Sequence, residues 1–200
     1  AVGDRKVAGI IGPQADVDAA RQSFGLAPPA IKVDSREDLF HLPLDRLHIP
    51  EALRSRRLEC RIATEADVEL LARWRLDFDV ALNGATTSAD SLAEAREAVS
   101  HWVESRSQFI LTNVGQSVAG CCFNARLPDM VQIGNVWTPA ALRGRGYARA
   151  VVAGALRYAG AEGAREAVLF TATGNNAARK AYLATGFTRI GDYAIVLLKT

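Results

Sequence analysis

A connection rich in glycine and arginine, placed between a predicted strand and a predicted helix, most restricts what this sequence can fold into. The strand covers Met130–Thr138, and Arg143-Gly144-Arg145-Gly146-Tyr147-Ala148 follows it and runs directly into a helix with an apolar face. The two glycines let the backbone turn tightly and approach a ligand without side-chain obstruction. Because a helix N-terminus leaves about four N–H groups unpaired and carries partial positive charge, this segment is suited to bind a phosphate group.

Three kinds of phosphate-binding loop can be compared with this segment. A Walker loop requires Gly-Lys-Ser/Thr, and the sequence contains no such triplet. The dinucleotide pattern Gly-x-Gly-x-x-Gly requires glycine at the position that Arg149 occupies. A third pattern, Arg-x-x-Gly-x-Gly/Ala, is matched by Arg143, Gly146 and Ala148. Arg143 and Arg145 also supply forked donors whose geometry suits phosphate.

The charge distribution supports an anionic ligand in the same part of the chain. The formal net charge is only +2, but residues 143–200 contain nine Lys or Arg against three Asp or Glu, so the preceding part is net acidic. Nucleic acid would also be attracted to this basic part, but the basic residues are not interleaved with aromatic ones as single-strand binding requires. A small molecule that carries phosphate is therefore the better interpretation.

Composition excludes several other classes of protein. Hydrophobic residues make up 49% and charged residues 23%, which is typical of a folded globular chain. No apolar run reaches the ~20 residues of a membrane span. The three cysteines (Cys60, Cys121 and Cys122) have neither the number nor the spacing of a disulfide framework or a metal site. We therefore expect reduced, buried thiols, no metal, no membrane partner and a cytoplasmic location.

A second motif lies downstream and connects the first to a known family. It reads Asn175-Asn-Ala-Ala-Arg-Lys-Ala-Tyr182-Leu-Ala-Thr-Gly-Phe187 and follows a predicted helix and the apolar strand Ala167–Ala172. In this order, the two motifs resemble the acyl-CoA-binding and C-terminal motifs of the GNAT superfamily of N-acetyltransferases. The resemblance covers roughly residues 58–200. It implies an α+β fold with a mixed, mostly antiparallel central sheet flanked by helices.

The resemblance also implies acetyl-CoA as cosubstrate and assigns residues to it. In this family the strand before the loop offers backbone groups to the pantetheine arm, and a backbone N–H near Val136 would polarise the thioester carbonyl. The glycine- and arginine-rich loop would bind the pyrophosphate, and Asn175 would contact the cofactor arm. The implied cofactor-binding residues are Val136, Trp137, Thr138, Arg143, Gly144, Arg145, Gly146, Tyr147, Ala148, Arg149 and Asn175.

Tyr182 matches the family tyrosine whose hydroxyl faces the thioester sulfur, which implies that it acts as general acid to the CoA thiolate. The implied reaction is direct attack of a primary amine on acetyl-CoA; the alternative is a non-catalytic acyl-CoA-binding or regulatory module. Many members carry a glutamate on the central strands as base, but Met130–Thr138 contains no acidic residue. The general base is therefore unassigned among four acidic candidates elsewhere: Asp77, Asp79, Glu104 and Asp129.

Residues 1–57 predict a small β-α-β-β unit that precedes the acetyltransferase-like domain of residues 58–200. Its helix is Gln14–Phe24, and two short strands are predicted at Ile31–Val33 and Asp38–Leu42. Its order of strand, helix, glycine and strand is the same as the order in the segment around Tyr182. Arg21 occupies the position equivalent to Tyr182. We interpret this unit as a partial, degenerate GNAT-like unit.

The acceptor is expected to be a small-molecule or peptide amine rather than nucleic acid; its identity and the formation of a homodimer are left open.

Overall fold

The computed structural model describes residues 7–26 and 30–199 of the 200-residue chain. These residues form one sheet with helices on both of its faces. The strands are β1 (Gly9–Pro13), β2 (Ile31–Pro43), β3 (Leu58–Ile62), β4 (Gln108–Asn113), β5 (Gln116–Arg126), β6 (Met130–Trp137), β7 (Glu166–Ala172) and β8 (Thr188–Leu198). The helices are α1 (Gln14–Phe24), α2 (Glu51–Arg54), α3 (Val68–Asn83), α4 (Ala89–Glu104), α5 (Tyr147–Ala161) and α6 (Asn176–Thr185).

The strands of this sheet run in the order β1-β8-β2-β7-β6-β5-β4-β3. Within the described residues, β6 and β7 form the one parallel pair, and every other neighbouring pair is antiparallel. A parallel pair needs a long crossover, and α5 supplies it by connecting β6 to β7. The predicted mixed, mostly antiparallel sheet flanked by helices is confirmed.

The N-terminal segment differs from the prediction in one respect. The two short strands predicted at Ile31–Val33 and Asp38–Leu42 are wrong, because residues 31–43 form the single long strand β2. The intervening charged residues suggested a break, but Lys32, Asp34 and Arg36 alternate outward on one strand. This strand has neighbours on both edges, β7 and β8, so its backbone groups are paired throughout most of its length.

Strands from residues 1–57 are therefore interleaved with strands from the C-terminal part. In the order β1-β8-β2-β7, strand β8 of the unit β7-α6-β8 lies between the two strands of the unit β1-α1-β2. Strand β2 of the first unit likewise lies between the two strands of the second. If the two units are exchanged, the same order is obtained when it is read from the other end. Both helices end at a glycine with left-handed backbone, Gly25 and Gly186. The sheet thus joins both predicted domains in one hydrogen-bonded body, and the degenerate origin of residues 1–57 stays a prediction.

Two apolar layers cover the sheet. On one face, α5 packs Val151, Val152 and Leu156 into the largest core cluster, which also holds Phe109 and Phe123. On the other face, a second cluster joins α3 and α4 to the sheet through Leu71, Trp74, Val99 and Ile110. No helix in the described ranges is long and apolar enough to span a membrane. The loop after β6 lies between these layers, at the N-terminus of α5.

Candidate active site

The candidate site is a gap in the middle of the sheet, where β6 and β7 separate. Their ladder covers only three pairs, from Met130 with Glu166 to Gln132 with Val168. Beyond it, β6 continues to Trp137 and β7 to Ala172 without pairing to each other. The backbone groups that β6 and β7 direct toward each other beyond Gln132 and Val168 are therefore not bonded between the two strands. This is the type of crevice in which ligands bind to sheets with parallel strands.

A β-bulge lies on the β6 side of this gap. Gly134 pairs with Cys122 and Trp137 pairs with Gly120, so three steps along β6 match two along β5. Asn135 accommodates the extra residue with a φ of 48°, which is unusual for a residue other than glycine. A bulge leaves one residue outside the ladder and bends the strand, and bulges are over-represented next to active sites. The predicted backbone donor near Val136 thus lies in a segment released from regular pairing.

The loop that follows β6 presents a run of free backbone donors. The N–H groups of residues 144–149 have no acceptor in the part of the chain that the structure describes. Gly144 and Gly146 have φ values of 77° and 78°, and no atom lies within 4 Å of a Cβ built on either of them. The open space and the free donors at the N-terminus of α5 together match the requirements of a phosphate site.

The side chains of this loop are more varied in role than the sequence implies. Arg143 donates from Nε to the carbonyl oxygen of Thr138 at 3.1 Å, and its guanidinium lies 4.9 Å from the centre of the Trp137 ring. Tyr147 is buried, and its hydroxyl accepts a hydrogen bond from Asn113. Arg143 and Tyr147 therefore fix the loop to β6 and β4. Arg145 is exposed, and its Nη2 lies 3.5 Å from the carbonyl oxygen of Ala141.

Unpartnered polar atoms are concentrated at the end of β6. Asn135 Oδ1, Trp137 Nε1 and Thr138 Oγ1 are buried and have no hydrogen-bond partner among the described residues. Buried polar groups are almost always hydrogen-bonded, and leaving one unpaired costs about 1–3 kcal/mol. Three of them in four consecutive positions fit an extended ligand with amide and hydroxyl groups. The pantetheine arm of acetyl-CoA has such groups, so the residues present fit this cosubstrate.

Tyr182 projects from α6 into the core beside the gap. It is 6% exposed and packs edge-on against Phe40 of β2 and Phe187, with ring centres 6.1 Å away in both cases. Its hydroxyl has no hydrogen-bond partner within residues 7–26 and 30–199. Burial raises the pKa of this phenol, and Cys121 and Glu37 raise it further. The hydroxyl is therefore a protonated donor without a protein acceptor.

Asn175 has a structural role at the start of the same helix. It caps α6, and its side-chain oxygen accepts a hydrogen bond from the N–H of Ala178 at 3.2 Å. Its side-chain NH₂ group is left to contact a ligand at the end of β7. The structure thus brings Val136–Thr138, the loop donors, Asn175 and Tyr182 to one end of the sheet, around the gap between β6 and β7.

The four acidic residues that the sequence offers as candidates for the general base are exposed or already form an ion pair. Asp77, Glu104 and Asp129 are exposed, and Asp79 forms an ion pair with Arg75 at 2.6 Å. A buried carboxylate that sequence reasoning missed, Glu37, lies on β2 and is 7% exposed. The alternation of polar and apolar residues along β2 could have identified it as an inward position. Within the described ranges, no group of three or more His, Cys, Asp or Glu side chains could hold a metal ion.

Comparisons with known proteins agree with this geometry. An acetyltransferase from Colwellia psychrerythraea, described as a GNAT-family protein, superposes with a TM-score of 0.63 at 15% identity, covering 98% of this chain and 66% of that chain. A GCN5-related N-acetyltransferase from Sphaerobacter thermophilus gives 0.60 at 16% identity, covering 94% and 59%. A predicted acetyltransferase from Clostridium acetobutylicum, solved with acetyl-CoA, gives 0.52 at 19% identity, covering 66% and 91%. Curated protein sequences yield no match.

At these identities the superpositions establish the fold alone, and this chain spans two thirds or less of the first two structures. The mixed sheet that opens between β6 and β7 gives this chain the α+β fold of these acetyltransferase structures. A sequence model of the acetyltransferase (GNAT) family matches residues 71–187, which is more than half of the chain. The chain therefore belongs to the GNAT acetyltransferase family. Members of this family transfer acyl groups from acetyl-CoA.

Proposed function

We propose that this protein transfers the acetyl group of acetyl-CoA to a primary amine by direct attack, with Tyr182 as general acid to the CoA thiolate. The observation that carries the proposal is the Tyr182 side chain, whose ring is packed in the core while its hydroxyl lacks an acceptor among the described residues and remains accessible. An accessible phenol hydroxyl without a protein acceptor is free to donate its hydrogen bond to a thiolate that forms in the gap.

The loop and the end of β6 bind the cosubstrate in this proposal. The free N–H groups of residues 144–149 and the exposed Arg145 and Arg149 hold the pyrophosphate. The unpartnered atoms of Asn135 and Thr138 bind the pantetheine arm. A backbone N–H of the bulge polarises the thioester carbonyl and stabilises the negative charge that develops on its oxygen.

The raised pKa of Tyr182 defines its role more closely. A free thiol has a pKa of about 8.5 and a free phenol about 10, so full proton transfer from phenol to thiolate is uphill by about 2 kcal/mol even before burial is considered. Tyr182 therefore acts first as a hydrogen-bond donor to the departing sulfur. It releases its proton only as the amine nitrogen supplies a replacement.

Tyr182→Phe tests the catalytic role, with thiol release measured over a panel of primary amines. We expect kcat to fall about 100-fold or more, because general acid catalysis contributes 10²–10⁴-fold. The KM for acetyl-CoA should stay within about twofold of the original value, since the pyrophosphate contacts are untouched. Tyr158→Phe, at a tyrosine whose hydroxyl accepts a bond from Arg106, is the matched control. Unchanged turnover in Tyr182→Phe would remove Tyr182 from the mechanism.

Calorimetric binding of CoA tests the loop and separates the alternative function. Gly146→Val should raise the Kd about tenfold or more, because valine is strained at a φ of 78° and its branches would occupy the open space. Gly163→Val is the matched control, since Gly163 has a φ of 104° and lies at the far end of α5. If CoA binds but no amine is acetylated, the protein is a non-catalytic acyl-CoA-binding module instead.

A further inference from the structure

Two adjacent carboxylates on β2 lie in very different surroundings. Asp38 is 3% exposed and has two cationic partners, Arg179 at 2.9 Å and Arg189 at 2.7 Å. Glu37 is 7% exposed, and no Lys, Arg or His in the described part of the chain forms an ion pair with it. Burying a carboxylate without a cation is unfavourable by several kcal/mol. Glu37 thus lacks the positive charge that its neighbour has.

The two side chains face opposite sides of the sheet, because successive residues of a strand alternate. Asp38 shares its face with Phe40 and Leu42, which are buried in the core under α5 and α6. Glu37 shares the other face with Ser35 and Leu39, which are only half-buried. The principal sheet contacts of α3 and α4 are with β6 and β4, so this face of β2 is less covered.

An aromatic surface adjoins Glu37 on this face. Glu37 pairs with Ala172 of β7 on one side and with Tyr193 of β8 on the other. The Tyr193 ring stacks on Phe170, with ring centres 4.9 Å apart and planes 17° from parallel. Both rings are half-buried. A carboxylate beside stacked aromatic rings is suited to bind a cation joined to an apolar group, because the rings attract both.

The position of Glu37 along the sheet connects it to the gap. The last pair of β6 and β7 is Gln132 with Val168, and both strands run on from it along the gap, β6 to Trp137 and β7 to Ala172. Ala172, the last residue of β7, is the direct partner of Glu37, so Glu37 lies one strand beyond the gap, at the end of β7 that borders it.

We propose that Glu37 binds the ammonium group of the acceptor and takes up a proton from it, while Phe170 and Tyr193 hold the acceptor's apolar carbon skeleton. The proposal rests on the acetyl transfer proposed above and specifies its acceptor as a small primary amine with an apolar skeleton. The base and part of the acceptor site then come from residues 1–57. Burial raises the pKa of Glu37, which strengthens it as a base, although the hydroxyl of Ser35 donates to it at 2.5 Å and opposes this effect.

The proton balance of the reaction follows from these positions. The acceptor R–NH₃⁺ gives one proton to Glu37, and the freed lone pair forms the bond from nitrogen to the acetyl carbon. The carbon–sulfur bond breaks, Tyr182 protonates the sulfur, and the second proton leaving the nitrogen restores the Tyr182 phenol. Glu37 then releases its proton to solvent. The products are R–NH–CO–CH₃, CoA-SH and one proton.

The test compares Glu37→Gln with Glu166→Gln, a matched control at a glutamate that forms an ion pair with His41. With phenethylamine as acceptor, Glu37→Gln should lower kcat/KM about 100-fold, through both a lower kcat and a higher KM. The KM for acetyl-CoA should stay within about twofold. Phe170→Ala should lower kcat/KM more for phenethylamine than for methylamine. A change below about threefold in Glu37→Gln would overturn the proposal, and a rise in KM alone would overturn the proton transfer.

A binding measurement separates failure of this proposal from failure of the proposed function. Protein saturated with CoA is titrated with phenethylamine and with the uncharged 2-phenylethanol, for the original chain and for Glu37→Gln. We expect only the amine to bind, and only when Glu37 is present. Glu37-dependent binding without any turnover would support this site and contradict acetyl transfer. Absence of Glu37-dependent binding would overturn the site, whether or not the protein is active.

Discussion

Truncating Phe40 tests whether the N-terminal strand β2 is part of the core of the acetyltransferase fold. Phe40 is 1% exposed and packs edge-on against Tyr182, so Phe40→Ala removes a fully buried ring from the largest core cluster. Phe→Ala changes at such positions cost about 3–5 kcal/mol. With a urea m-value of about 2 kcal/mol per M, the unfolding midpoint should fall by about 1.5–2.5 M.

The assay is urea unfolding at 25 °C, followed by far-UV circular dichroism and tryptophan fluorescence in parallel. The three tryptophans lie outside residues 1–57, so fluorescence reports on the part of the chain that is not mutated. Lys32→Ala, at an exposed position of the same strand, is the control and should leave the midpoint nearly unchanged. A fluorescence midpoint that shifts by less than about 0.5 M, or two separate transitions, would refute the integration of β2 into one cooperative unit.

Three further predictions concern a carboxylate, two glycines and the thiols. Two hydrogen bonds from Arg61 lower the pKa of Asp67 to about 2, so the stability they add is present above pH ~4 and is lost as pH falls through 2. The urea midpoints of the original chain and Asp67→Asn should therefore converge between pH 4 and pH 2. Gly186→Ala should cost about 1–3 kcal/mol more in unfolding free energy than Gly25→Ala. The reason is that its Cβ would lie 2.6 Å from the carbonyl oxygen of Arg46, whereas nothing lies within 4 Å at Gly25. Equal costs would contradict this contact. Burial raises the pKa of the thiols, to about 12 for Cys60 and Cys122, so DTNB should detect none in the native protein and three after unfolding.

Helix ends that are marked by residues nearby in the sequence were predictable. The predicted and observed bounds of helix α1 agree, because Gly25 ends the helix directly after its apolar face. Thr64 and Asp67 have the spacing of a capping box in the sequence, and the structure forms it at a short 3₁₀ turn before α3. Ser91 and Glu94 have the same spacing and predict a second capping box, which is wrong. Ser88 caps α4 three residues earlier, and its hydroxyl accepts the bond from the N–H of Ser91.

Features that depend on distant partners were not predictable in this way. The position of β2 between β7 and β8 follows from pairing with strands more than a hundred residues away, which no local pattern reports. The alternation along β2 marks Glu37 as an inward position, but only the pairing with Ala172 of β7 places it one strand from the gap. The inward side chain of Tyr147 was hidden as well, because its partner Asn113 comes from another strand.

The interleaved order β1-β8-β2-β7 has a consequence for the way the chain reaches its folded state. During synthesis β2 leaves the ribosome early, whereas both of its sheet neighbours, β7 and β8, emerge more than a hundred residues later. Until then neither edge of β2 is paired with its native neighbour. Unpaired strand edges of this kind promote association with other chains. Closure of the sheet requires contacts of large sequence separation, which slow folding. We therefore expect the centre of the sheet to be completed only after β7 and β8 have been synthesised, as one of the last steps in the folding of these residues.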